Sequence, residues 1–401
     1  MKLFAQHGAS EGEKITEAIN RGVIDGVIYS PRDVALPNLT AKLKALASTS
    51  RKLSRLFDPQ YYAIFLTSNS DARTGYLLED YAEYLQPRRR GQLEREKQVQ
   101  EDLKAALKFQ VDLDFSGIIA PNILIPRSFD SVEAVISKNF IRQTAAQFSK
   151  FKDKRPVYAT LAIARDALND KQELIEFLNE VTLLDEPPSG FYVLIAARSS
   201  EARSDIYNAD IIAAWMLINH TLKLNGFDVI NGYSDILTPF LGAAGGGAGG
   251  LGWWTNLRSF SLDRFAPSPS GGRLPIQRYL STRLMNRITY YELDALRKLV
   301  PKVLNGLTSD SLYDAAKGSE PPRNIEVIQS WEAVGDLNSS LVSGEQLQDL
   351  KKCRSAVEEA VETYENIPIQ LDTKSNKDHL LPLLEGMTLF EKLAEIQSSS
   401  E

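Results

Sequence analysis

Apolar residues along this chain fall in short continuous runs, separated by stretches whose apolar positions recur at helical spacing. Residues 3–6, 26–30, 61–67, 117–122, 156–163, 190–196 and 227–231 are such runs. A glycine-lined run at 242–252 follows them. Continuous rather than alternating polarity marks parallel strands covered on both faces. The glycine run cannot be a helix interior, because each glycine there would cost roughly 1 kcal/mol against alanine. Glycine suits a place where backbone closely approaches a ligand or a packed neighbour.

Between these runs the helical signals are local. Ser10 and Glu13 have capping-box spacing ahead of Ile15, Ala18 and Ile19. Leu39, Leu43 and Leu46 share one helical face. Residues 88–109, 131–151 and 209–224 read as helices. Asp170 precedes Glu173 by three residues and caps a helix carrying Leu174, Phe177, Leu178 and Val181. Thr255 or Asn256 is placed to cap another helix after the glycine run. Eight strand–helix units in about 250 residues predict a (β/α)8 TIM-type barrel. A doubly wound open sheet is the alternative.

The pattern changes after Arg258. Residues 266–272 are rich in Pro, Ser and Gly and read as a linker or lid. Residues 278–304 read as mostly helical and hold the expected closing helix. The expected division is a barrel over 1–305, with a turn-rich basic insertion near 259–290, and a helical C-terminal appendage over 320–401.

Composition narrows the function classes. Of 401 residues, 43% are hydrophobic, which is ordinary for a globular protein. No apolar run is long enough to span a membrane, and the N-terminus enters a strand without an export signal. A single cysteine, Cys353, allows no internal disulfide and no thiolate metal cluster. These features lead us to expect a cytoplasmic protein. The three histidines lie far apart, so metal chemistry through them is not expected, although a carboxylate-held Mg²⁺ beside a phosphate is compatible.

In a barrel, reacting groups gather where strands end. The catalytic candidates are therefore Asp33, Asp166, Asp235 and His7. A carboxylate pair suits glycosyl or base transfer or hydrolysis. Asp235 also reads as a cap for the following helix, and Asp166 as a partner of Arg165.

The loops after the seventh and eighth strands commonly bind phosphate. This makes Tyr233, Gly250, Gly252, Trp254, Asn256 and Arg258, together with Arg198 at the end of the sixth run, the expected phosphate contacts. Between 255 and 291, Arg258, Arg264, Arg273, Arg278, Arg283 and Arg287 face only Asp263, a local charge of +5 in a chain of net −6. Arginine with interleaved aromatics suits a nucleotide or a nucleic-acid strand. The competing reading pairs these arginines with Glu358, Glu359 and Glu362 of the tail. The sequence thus leads us to expect a barrel enzyme acting on a phosphate-bearing small molecule or nucleic acid. The alternative is a non-catalytic barrel that binds a protein or nucleic acid, the C-terminal helices forming the protein interface.

Overall fold

In the computed structural model, residues 1–68, 72–267, 275–315 and 320–396 are described. Nine strands form the main sheet: β1 (Lys2–Gln6), β2 (Gly26–Tyr29), β3 (Ser54–Phe57), β4 (Ile118–Ala120), β5 (Leu124–Ile125), β6 (Val157–Ala164), β7 (Gly190–Ala196), β8 (Asp228–Asn231) and β9 (Ala248–Leu251). They run parallel in the order β3-β2-β1-β9-β8-β7-β6-β4, and β5 also pairs with β6. Segments β4 and β5 are successive parts of one stave, so the sheet has eight staves. The ends of the sheet meet: the Ser116 N–H donates to the Arg55 carbonyl at 2.9 Å, just ahead of β4. The molecule is therefore a nearly closed parallel barrel of the (β/α)8 type.

Helices alternate with the staves: α1 (Lys14–Arg21), α2 (Leu36–Ala47), α3 (Arg90–Leu93), α4 (Glu96–Val111), α5 (Val132–Ser149), α6 (Lys171–Thr182), α7 (Ala209–Leu224) and α8 (Thr238–Ala243). Caps expected from sequence hold at α6, where the Asp170 carboxylate accepts from the Glu173 N–H at 3.0 Å. They fail at α1. That helix begins after Glu13 with no side-chain cap, because Ser10 sits at φ 61° in the preceding turn.

Three element expectations are corrected. The third strand is Ser54–Phe57 rather than 61–67, which forms a 3-10 stretch over Tyr61–Ser68. The aromatic run is used differently: the Tyr62 hydroxyl donates to Asp58 at 2.7 Å, and the Tyr61 hydroxyl donates to Asp102. Residues 278–289 are not helical but an antiparallel hairpin of β10 (Arg278–Ser281) and β11 (Asn286–Thr289). Two short helices, α9 (Tyr290–Leu299) and α10 (Asp310–Ala315), come next. Lastly, Thr255–Leu257 is one 3-10 turn without a side-chain cap, not the start of a helix.

The place of the eighth barrel helix is taken by α11 (Arg323–Leu341), which packs against both α8 and α1. Its Trp331 is fully buried and donates from Nε1 to the Leu251 carbonyl of β9 at 3.0 Å. Two further helices, α12 (Gln346–Glu365) and α13 (Leu380–Leu393), lie outside this ring against α8 and α7.

Side chains fill the barrel interior, and register shows which. Gln6, Ile28 and Leu56 are lateral neighbours on β1, β2 and β3. A Cβ on Gly250 would stand 3.2 Å from Gln6 Oε1 and 3.5 Å from Ile28 Cδ1, so β9 approaches this layer closely. Gly252 is tighter still, with the Gln6 carbonyl 2.4 Å from where its Cβ would be.

If α11 is the closing helix, its core anchor should be as costly to remove as any barrel residue. Trp331→Ala is expected to lower the unfolding free energy by about 3–5 kcal/mol in urea denaturation. A loss under about 1 kcal/mol would show that α11 is only appended.

Candidate functional site

The mouth of the barrel axis is sealed. After β9 the chain returns beside β7, where the Ala197 N–H donates to the Phe260 carbonyl at 2.9 Å. Ala197 also bridges Ser261 in parallel. This contact lays the 3-10 turn Leu262–Phe265 across the strand ends. Arg264 on this turn donates from Nη2 to Asp33 Oδ2 at 2.7 Å and from Nη1 to the Tyr233 hydroxyl at 2.6 Å. Both charged side chains are 1% exposed. Arg32 Nη1 supplies the second bond to Asp33, at 2.7 Å. Burial alone would lower the Arg264 pKa, but Tyr233 and Asp33 hold it above the usual range.

Beneath this seal lies Asp58, fully buried, with both Tyr62 and Tyr192 hydroxyls donating to it, at 2.7 and 3.2 Å. Burial pushes its carboxyl up to about 6 against these hydrogen bonds.

With the axis closed, open space lies to one side. A cavity of about 510 Å³ sits over the ends of β7, β8 and β9. Its floor is the turn after β8, where Tyr233 (φ 56°) and Asp235 (φ 43°) both adopt left-handed backbone conformations. Non-glycine residues held in such conformations are strained and concentrate at functional sites. The hairpin β10–β11 and the first turn of α11 form other walls. The last wall is the strap at 372–374, which leads into α13. Glu292 of α9 ties that strap down, accepting from the Asp372 N–H at 2.5 Å and the Ser375 hydroxyl at 2.7 Å.

The cavity is rich in arginine. Arg287 grips Asp235 with two bonds of 2.6 and 2.7 Å. Burial works against the Arg287 charge, yet Asp235 raises its pKa overall. Arg278 bonds Asp372 at 2.7 Å. Arg203 lies over the Tyr207 ring, 5.1 Å from its centroid, and donates to the Lys374 carbonyl at 3.3 Å. Arg258 differs from all of these. Among the described residues its guanidinium has no hydrogen-bond acceptor and no ion pair. Loss of hydration and the neighbouring Arg287 together push it down to about 10, against the opposing pull of Asp235 and Glu326.

The sequence-derived candidates divide by position. Asp235, Tyr233, Trp254, Arg258, Arg278 and Arg287 line the cavity. Asp33 and Arg264 belong to the seal and are occupied by each other. Asp166 and Arg198 pair at 2.6 Å on the surface, with Arg198 65% exposed. His7 is buried behind the Trp253 ring and contacts Glu11 through Nε2 at 3.0 Å.

Gly250 and Gly252 are wall residues packed on Gln6, and neither they nor Asn256 line the cavity. The helix expected after the glycine run does not form here, since Thr255–Leu257 spans a single 3-10 turn. Arg283 is exposed at 61% and reaches Glu359 at 3.5 Å. Of the tail acids Glu358, Glu359 and Glu362, only Glu359 pairs with this arginine cluster among the described residues. Arg273 lies outside the described residues.

Sequence reading missed Arg203, Arg323, Glu326 and the strap, all of which line the cavity. Nothing local marks them, because each reaches the cavity only through packing of distant segments. Among the described residues, no group of three or more His, Cys, Asp or Glu could hold a metal, and no helix is long and apolar enough to cross a membrane. No protein-family model matches the chain, and no curated protein matches it.

The buried carboxyl under the seal has a measurable consequence. Its folded pKa, about 6, lies above the ordinary value of 3.8. The stability it confers is therefore complete below the unfolded pKa and is lost as pH rises through the folded one. Relative to Asp58→Asn, the wild type should lose about 2.4 kcal/mol of unfolding free energy between pH 4 and pH 7. Parallel denaturation curves of the two proteins across that range check this, and a constant difference would refute it.

Proposed function

We propose that the off-axis cavity binds a phosphate-bearing ligand of nucleotide size and that the protein acts on it as a transferase or hydrolase. The observation that carries this reading is Arg258, a guanidinium turned into an arginine-rich cavity without a protein acceptor. A half-buried guanidinium without a hydrogen-bonded partner is costly, and a structural role would have provided one. An anion supplies that counterpart, and arginine's planar fork suits phosphate oxygens. The aromatic rings of Trp254 and Tyr207 in the same lining offer faces for an apolar or heterocyclic part of the ligand.

The volume of about 510 Å³ suits a small molecule. A nucleic-acid strand is less well supported. Arg264 is buried, and Arg278 and Arg287 are bound to Asp372 and Asp235 rather than arrayed along an open surface. The strained Tyr233–Asp235 turn and the carboxylates beside the arginines favour catalysis over passive binding.

A thermal-shift screen with inorganic phosphate, nucleotides, sugar phosphates and short DNA and RNA tests the reading. A compound at 100 times its Kd should stabilise the protein by about 2.7 kcal/mol. Arg258→Ala should weaken that compound by roughly 10- to 100-fold, as expected for one charge-assisted hydrogen bond. If no phosphate compound shifts the midpoint, or if the shift survives in Arg258→Ala, the assignment is wrong.

A further inference from the structure

Glu326, in the first turn of α11, lines the same cavity as Arg258 and is 9% exposed. Its nearest cation is Arg323 Nη1 at 3.6 Å, beyond hydrogen-bonding range. Other groups face it from each side. Arg258 comes from the turn after β9, Arg287 from β11 and the Arg278 backbone N–H from β10. Tyr313 of α10 lies close enough to feel its charge. Asp235 shares the influence of Arg258 and Arg287 with it. From α1, Glu17 reaches the same end of α11 through Asn324 at 3.1 Å. Burial holds the Glu326 carboxyl above its ordinary range in spite of the arginines.

An anion docked on Arg258 would draw on the positive charge that Glu326 also uses. Two negative groups sharing one buried cationic site are relieved when one of them takes a proton. We propose that anion binding in this cavity is coupled to protonation of Glu326, which makes Glu326 the acid of the site. This rests on the cavity being an anion site, as set out above. The coupling places a proton-bearing carboxyl in the same cavity as Asp235, whose two oxygens accept from Arg287. A donor carboxyl and an acceptor carboxyl in one site are what acid–base transfer on a phosphate-bearing substrate needs.

Sulfate is a suitable probe, because it stays a dianion from pH 5 to pH 8 and any proton taken up belongs to the protein. Sulfate affinity for the full-length protein should rise as pH falls, about tenfold in total if binding raises the Glu326 pKa by one unit. In Glu326→Gln the affinity should be flat with pH and, at pH 8, at least equal to wild type, because a competing charge is gone. Glu326→Asp should keep the slope. An unchanged slope in Glu326→Gln overturns the coupling. So does binding that is weaker at every pH in a variant that melts normally, which is the mark of a purely structural residue. If Glu326→Gln does not fold, calorimetry of the wild type in two buffers of different protonation enthalpy counts the protons directly, and an uptake of zero overturns the proposal. Failure of sulfate to bind the wild type at any pH would instead defeat the reading of the cavity itself.

Discussion

The ion pair between Arg264 and Asp33 decides where open space can lie at the strand ends of this barrel. Both side chains are almost fully shielded from water; Arg32 and the Ser30 hydroxyl also donate to Asp33, and Arg264 also donates to Tyr233. Such a pair is poor evidence of net stability, but breaking it would strand a buried charge at a cost of about 3–5 kcal/mol. The pair therefore holds the Leu262–Phe265 turn over the strand ends and closes the axis. In most barrels of this architecture the strand-end loops build a site over the centre. Here the centre is filled, and the open volume is displaced over β7, β8 and β9.

Charge compensation then separates the arginines of the displaced cavity. Arg287 and Arg278 are held by Asp235 and Asp372. Arg203 rests on an aromatic face and a carbonyl. These pairings fix the walls and engage Asp235 and Asp372. Arg258 is left facing the cavity with its charge opposed by burial and by its arginine neighbours. The same crowding that makes this arginine costly would make it effective against an incoming anion.

The segments beyond the eighth stave build the site rather than decorate it. The β10–β11 hairpin carries Arg278 and Arg287, α11 carries Glu326, and the strap closes the remaining side. Glu292 couples these parts: it caps α9 through the Thr289 N–H at 2.6 Å and anchors the strap through Asp372 and Ser375. A single carboxylate thus connects the hairpin to the C-terminal helices.

The sequence by itself determined the barrel. Buried parallel strands need continuous apolar runs, and that pattern is visible residue by residue in segments such as 190–196. It also marked Asp235 and Arg258, because strand ends in a barrel are where functional groups gather. The third strand escaped notice, since Ser54 and Arg55 are polar while the neighbouring Tyr61–Ser68 run is apolar for a different purpose. Only the tertiary structure decided which strand-end residues meet. Asp33 and Asp235 occupy equivalent positions in the pattern, yet one is consumed by Arg264 and the other faces the cavity. Pairing partners such as Asp235 and Arg287, 52 residues apart, are chosen by how distant segments pack. No local periodicity encodes that choice, and for the same reason Glu326 could not be told from any other helical glutamate until α11 was seen against the barrel.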